Sequence, residues 1–215
     1  MAQIGNSILG EVKGKIGTVV FRSINGKTFV SQRPSKYKTT NNPKLKNART
    51  GFSNLSAFAA YINSIPILKK VWNLNIVKGK RAYNKIYSHN SKFIKQNDNY
   101  SILTILPAIS NFEIQLGNLS KSDNKIEFNV FIQSEKYINS ENTSNLVLVA
   151  FNKTERKYLH QIFPLKIEEL KDKSLIFVEL NEDIISFENI DNIFCGLTVE
   201  DKSGKVLTWT NILYL

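Results

Sequence analysis

From Gly17 to Arg33 the chain alternates in the manner of two short strands, Gly17–Ile24 and Lys27–Arg33, split by Asn25-Gly26. An Asn-Gly pair suits a two-residue hairpin turn, whose central residues both need positive φ. That turn predicts the register. Ile24 opposes Lys27, Arg22 opposes Phe29 and Val20 opposes Ser31 on one face. Ser23 opposes Thr28, Phe21 opposes Val30 and Val19 opposes Gln32 on the other. The Val19/Phe21/Val30 face is the more apolar and is expected to point inward. Pro34, with no N–H to donate, ends the ladder. Met1–Val12 reads as an irregular strand, either a third strand of the hairpin or an arm.

The period then lengthens. Asn42-Pro43 is a helix start, with Asn as N-cap and Pro at the first helical position. Leu45, Ala48, Phe52, Leu55, Ala59 and Ile62 recur at steps of three and four, which predicts a helix from Pro43 to about Ser64 with a core-facing stripe. Ser64 and Pro66 open a second helix holding Leu68, Val71 and Trp72. Gly79 interrupts, and Lys80–Ile94 resumes the helical period. Asn97-Asp98-Asn99 marks the expected domain boundary.

Beyond Tyr100 the period returns to two. The candidate strands are Ser101–Leu106, Phe112–Leu116, Lys125–Gln133, Asn145–Asn152, Lys157–Phe163, Ser174–Leu180, Asn192–Glu200 and Lys205–Tyr214. Asp201-Lys202-Ser203-Gly204 is the turn joining the last two. Short strands at regular spacing predict an antiparallel, immunoglobulin-like β-sandwich, without the Cys…Trp…Cys signature of antibody domains. The expected fold is α+β: residues 1–99 form a basic β-hairpin and helical module, and residues 100–215 form the sandwich.

Charge sharpens that division. The net formal charge is +11 over 215 residues. Residues 1–100 carry 18 Lys and Arg against Glu11 and Asp98, whereas residues 101–215 carry 11 against 16 acidic residues. Such asymmetry implies two modules with different surroundings, the first meeting something acidic. The candidate binding residues are Arg22, Arg33, Lys36, Lys38, Lys44, Lys46 and Arg49, on the hairpin's less apolar face, the linker and the first helix. If they contact phosphates, binding weakens steeply with salt, and Tyr37, Tyr83 and Tyr87 are candidates for base stacking. No established nucleic-acid motif accompanies them.

No apolar run reaches the length of a membrane span. Met1–Gly10 lacks the basic and apolar regions of a secretory signal, which favours a cytoplasmic or virion-associated location over standard secretion. Cys195 is the single cysteine, so neither an internal disulfide nor a multi-cysteine metal site is expected.

The chemistry is sparse. Gly10-Glu11-Val12-Lys13-Gly14-Lys15 superficially suggests a phosphate-binding loop, but the glycine spacing is one residue short and Ile16 replaces the metal-holding Ser or Thr. His89 has no His or carboxylate at ligand spacing, and His160 alternates with apolar residues in a strand. Cys195 reads as a buried small hydrophobe. Glu168-Glu169, Asp172, Glu179, Glu182-Asp183 and Glu188 read as a solvated rim. No cofactor and no catalytic set is expected, so the chain reads as a non-enzyme.

The stretches GKIGTVVFRSINGKTFVSQRP, ARTGFSNLSAF, AYNKIYSHN and LVLVAFN…GLTVEDKSGKVLTWTNILYL together resemble a family of Bacteroidota proteins described only as a domain of unknown function. The likeness runs over nearly the whole chain. It implies the same order of parts, a small β segment, helices and a β-sandwich, and it brings no catalytic residues. NDNYSILTILP stands where that family has an acidic YP…D-type segment. These features predict a structural or assembly protein that self-associates, as a homo-oligomer or polymer, or docks with other subunits of a cell-surface, filament or virion assembly. The alternative is a nucleic-acid-associated protein using the basic half.

Overall fold

The computed structural model describes residues 2–4, 13–24, 27–33, 42–74, 79–94, 103–108, 113–122, 124–137, 139–152, 157–167, 170, 175–186 and 192–214. Its architecture is α+β with antiparallel sheets, in two compact units, Met1–Lys46 and Asn47–Leu215. The expected boundary at Asn97–Asn99 lies outside the described residues.

The first unit holds a four-stranded sheet in the order β1-β4-β3-β2, formed by β1 (Ala2–Ile4), β2 (Gly14–Ile16), β3 (Val19–Ile24) and β4 (Lys27–Gln32). The β3–β4 pairing follows the expected register at each of its six pairs. The Asn25-Gly26 turn itself lies outside the described residues. A second tight turn, absent from the sequence reading, sits at Gly17-Thr18, where Gly17 adopts φ +60° and brings Ile16 opposite Val19. The amide of Arg33 then donates to Thr18 O at 2.7 Å, one step beyond β4. The Val19/Phe21/Val30 face is only half-buried. Among the described side chains of this unit only Thr28 is buried.

Helix α1 (Pro43–Ser64) has its expected bounds, and crosses from the first unit into the second. Asn42 caps it: its Oδ1 accepts from the Lys44 amide at 3.0 Å. Its apolar stripe divides in two. Leu55, Phe58, Ala59 and Ile62 are buried, whereas every residue from Pro43 to Thr50 is exposed, and so is Phe52. The stripe's first half, Leu45, Ala48 and Phe52, is therefore not core. Helix α2 (Pro66–Asn73) starts from Ile65, which supplies no side-chain cap; Ser64 instead turns back on Tyr61 O. Helix α3 (Ala82–Ile94) follows Gly79, which adopts φ +142°.

The strands of the second unit form two sheets. One runs β11-β10-β7-β8 with β12 also on β10: β7 (Thr143–Asn152), β8 (Lys157–Lys166), β10 (Asn192–Glu200), β11 (Val206–Trp209) and β12 (Leu213–Tyr214). The other runs β5-β6-β9: β5 (Ile114–Ser122), β6 (Lys125–Ile132) and β9 (Leu175–Glu179). A short helix, α4 (Glu182–Ile185), follows β9, with Asn181 as its N-cap. Ile126, Phe128, Val130, Ile176 and Val178 of the smaller sheet share a core with Leu146, Leu148, Cys195, Leu197 and Val199 of the larger. The opposite face of the larger sheet carries Val147, Val149, Phe151, Phe194 and Trp209, which pack with Phe58, Ile62, Leu68, Trp72 and Ile86 of the helices. Strands β7 and β10 are thus covered on both sides, which is why they read as near-continuous apolar runs rather than alternating ones.

Two expected strands are corrected. Ser101–Leu106 is not a strand where it is described: Leu103–Pro107 is a largely buried strap held by side chains rather than by a ladder. Asn90 accepts from the Thr104 amide (2.7 Å) and donates to Thr104 O (3.1 Å), Trp72 Nε1 donates to Ile105 O (2.8 Å), and Trp209 Nε1 donates to Pro107 O (2.8 Å). The second is Lys205–Tyr214, which breaks at Thr210–Ile212. There Asn211 leaves the ladder and pairs with both the amide (2.7 Å) and the carbonyl (2.9 Å) of Leu116 on the facing sheet. In both places a carboxamide stands in for a neighbouring strand, satisfying buried backbone groups that no sheet edge reaches.

Candidate functional site

The candidate binding residues that are described all reach solvent. Arg22 lies on β3 opposite Phe29, and Arg33 follows β4. Lys44 and Lys46 lie in the first turn of α1 and Arg49 in the second. Lys36, Lys38 and Tyr37 lie outside the described residues. At 3.6 residues per turn, Lys46 and Arg49 share one side of α1. Leu45, Ala48 and Phe52 form an apolar strip between Arg49 and Lys44. The first turn contains no acidic residue, so Lys44 and Lys46 sit against the positive end of the helix dipole, where an anion is favoured and a cation is not. Leu45 is 45% and Phe52 61% exposed. This end of the helix therefore combines uncovered apolar surface with cations that its own first turn does not neutralise.

Tyr83 and Tyr87, the candidate stacking residues, each have protein neighbours. Their rings stack on each other at 6.5 Å, Tyr87 meets Phe52 at 5.5 Å, and the Tyr83 hydroxyl donates to Ser56 at 3.2 Å. Burial, with Tyr83 nearby, raises the Tyr87 hydroxyl above its usual pKa.

Each histidine packs against aromatic rings. His89 packs edge-on against Trp72 and Phe93. Burial first and then Lys92 hold it below its usual pKa. His160 does meet a partner that the sequence did not reveal: the Tyr61 hydroxyl lies 2.8 Å from its Nδ1. Burial pushes Tyr61 up to about 12 and holds His160 below its usual pKa. Tyr61 also stacks on Tyr158, which stacks on Phe151. The pair forms the polar edge of an aromatic stack. Cys195 is buried and its thiol is pushed up to about 12, which makes it inert packing.

Glu179, Glu182 and Asp183 are exposed; Glu168, Glu169, Asp172 and Glu188 lie outside the described residues. Among the described residues no group of three His, Cys, Asp or Glu side chains is placed to hold a metal ion, and no helix is long and apolar enough to cross a membrane. Asp201 organises its turn: Oδ1 accepts from the Ser203 hydroxyl (2.6 Å) and from the amides of Ser203 and Lys205. These bonds, the hydroxyl's first, hold its carboxyl below the usual range.

Periodicity alone also missed a cleft of about 650 Å³ bounded by α1, α2 and the start of α3. Asn63, Lys69, Asn73, Lys80, Arg81 and Asn84 supply its polar lining, beside Ala82 and Tyr83. Its sequence signals are the Gly79 break and the absence of any Asp or Glu between Val12 and Asn97.

No family model matches the chain, and no curated protein matches it.

Proposed function

We propose that this chain is a non-enzymatic structural protein that self-associates within a larger cell-surface, filament or virion assembly. The observation that carries the reading is the N-terminal sheet: four strands with a single buried side chain, Thr28, among those described. A sheet of this size is marginal in water unless a face is covered, and this unit has no cysteine to staple it. Its half-buried Val19, Phe21 and Val30 and exposed Ile16 are surface for a partner to bury. The occupant we assign is a second copy of the chain, on charge complementarity: the first hundred positions carry an excess of basic residues and the remainder an excess of acidic ones. A contact of unlike surfaces repeated head to tail generates rings or filaments. The likeness to the Bacteroidota family belongs to the same reading. We also propose an immunoglobulin-like class for the sandwich; the division of its strands into β5-β6-β9 and β11-β10-β7-β8 supports that reading.

The test is size-exclusion chromatography with light scattering across protein concentration at low and high salt. Mass that rises with concentration and falls with salt, and that is lost in an Arg22→Glu/Lys46→Glu/Arg49→Glu variant, supports the reading. A salt-insensitive monomer at high concentration overturns it. Salt-dependent binding to DNA or RNA by a chain that stays monomeric moves the basic surface to nucleic acid instead.

A further inference from the structure

The cleft between α1, α2 and the start of α3 brings together three cations from two separate segments: Lys69 on α2, and Lys80 and Arg81 ahead of α3. Among the described residues no Asp or Glu lines it. We propose that it binds a small phosphorylated molecule, with the phosphate held among Lys69, Lys80 and Arg81 and the organic group against Tyr83. This inference does not rest on self-assembly.

Three features support it. First, the walls are fixed. Lys85 is buried, and its Nζ donates to Leu74 O at 2.8 Å and Asn73 O at 3.4 Å, tying α3 to the end of α2. Gly79 passes so close to Lys85 that a Cβ there would stand 2.9 Å from its Cγ. The Tyr83–Ser56 bond ties α3 to α1. The cations therefore project from a braced frame, which lowers the ordering cost of binding.

Second, the charge selects the ligand. Three like charges around one cleft repel one another, and a phosphate dianion relieves more of that repulsion than a single carboxylate does. Arg81 offers a planar fork suited to two phosphate oxygens, with lysines as point charges beside it. Third, the volume of about 650 Å³ falls in the range of small-molecule sites and exceeds what one phosphate fills. Asn63, Asn73 and Asn84 supply neutral donors and acceptors for the remainder.

The experiment is isothermal titration calorimetry of the full chain at low ionic strength, with pyrophosphate, inorganic phosphate and adenosine monophosphate as probes. The expected result is saturable one-to-one binding, weakened about tenfold or more in Lys69→Gln and in Arg81→Gln and changed less than about twofold in Lys121→Gln, whose side chain lies on β5. Adenosine monophosphate is expected to bind more tightly than inorganic phosphate. Unaltered melting of the variants shows that they fold. Absence of saturable binding, or equal affinity in all three variants and the wild type, overturns the site. Adenosine monophosphate binding no tighter than phosphate overturns the placement of an organic group on Tyr83.

Discussion

Asn90→Ala removes the carboxamide that holds the Leu103–Pro107 strap to α3. Asn90 is 0% exposed. Its Oδ1 accepts from the Thr104 amide at 2.7 Å, and its Nδ2 donates to Thr104 O at 3.1 Å and Ile86 O at 3.0 Å. Each neutral hydrogen bond contributes about 1 kcal/mol net, and a donor left buried without a partner costs about 1–3 kcal/mol. Alanine returns a few tenths of a kcal/mol in helix propensity. The expected loss is about 2–4 kcal/mol, a large share of a typical domain's stability of about 5–15 kcal/mol. The assay is urea unfolding followed by tryptophan emission. The chain has two tryptophans, and both donate to the strap, so emission reports on its detachment. Because Trp72 and Asn90 hold the same segment, Asn90→Ala combined with Trp72→Phe is expected to cost measurably less or more than the sum of the two. Ser88→Ala, at an exposed position of α3, serves as the reference and is expected to shift stability by less than about 0.5 kcal/mol. If Asn90→Ala falls within that same margin, the strap is not held as described.

Three further outcomes follow from the same packing. Gly196→Ala places a Cβ 2.6 Å from Leu106 Cδ1, and is expected to cost about 1–3 kcal/mol by overpacking, read as a lower urea midpoint with an unchanged slope. Lys85→Met leaves the final carbonyls of α2 without their donor and is expected to cost about 1–3 kcal/mol in the same assay. His89 is held below its usual pKa by burial, so the unfolded chain binds the extra proton first as pH falls. Its contribution is fully present above about pH 6.5 and is lost as pH falls below that value toward the depressed folded pKa. His89→Phe keeps the contacts with Trp72 and Phe93, and is expected to flatten the melting temperature against pH in that window.

The register of the N-terminal hairpin was legible because Asn25-Gly26 constrains it locally, and the bounds of α1 because Asn42-Pro43 writes a start into the chain. What α1 packs against was not legible. Periodicity places Leu45, Phe52, Leu55 and Ile62 on one face, but says nothing of where the covering surface stops. The strap was misread because an extended apolar run looks alike whether its backbone pairs with a strand or with the side chains of Asn90, Trp72 and Trp209. Those partners lie as far as 102 residues away. The basic surface was legible as charge. The cleft was not, since Lys69 and Arg81 meet only after α2 and α3 pack together.

Strands β7 and β10 of the larger sheet are covered on both faces. Val147, Val149, Phe151, Phe194 and Trp209 lie under the helices, and Leu146, Leu148, Cys195 and Leu197 lie under the smaller sheet. A gene segment encoding the strands alone would express a protein with an oily flank, prone to aggregate before any property of the sandwich could be measured. The helical layer and both sheets are therefore the minimum inheritable package. Recombination that respects this fold would carry α1 along with the strands, and tags or fusions belong upstream of Pro43 rather than between α3 and β5.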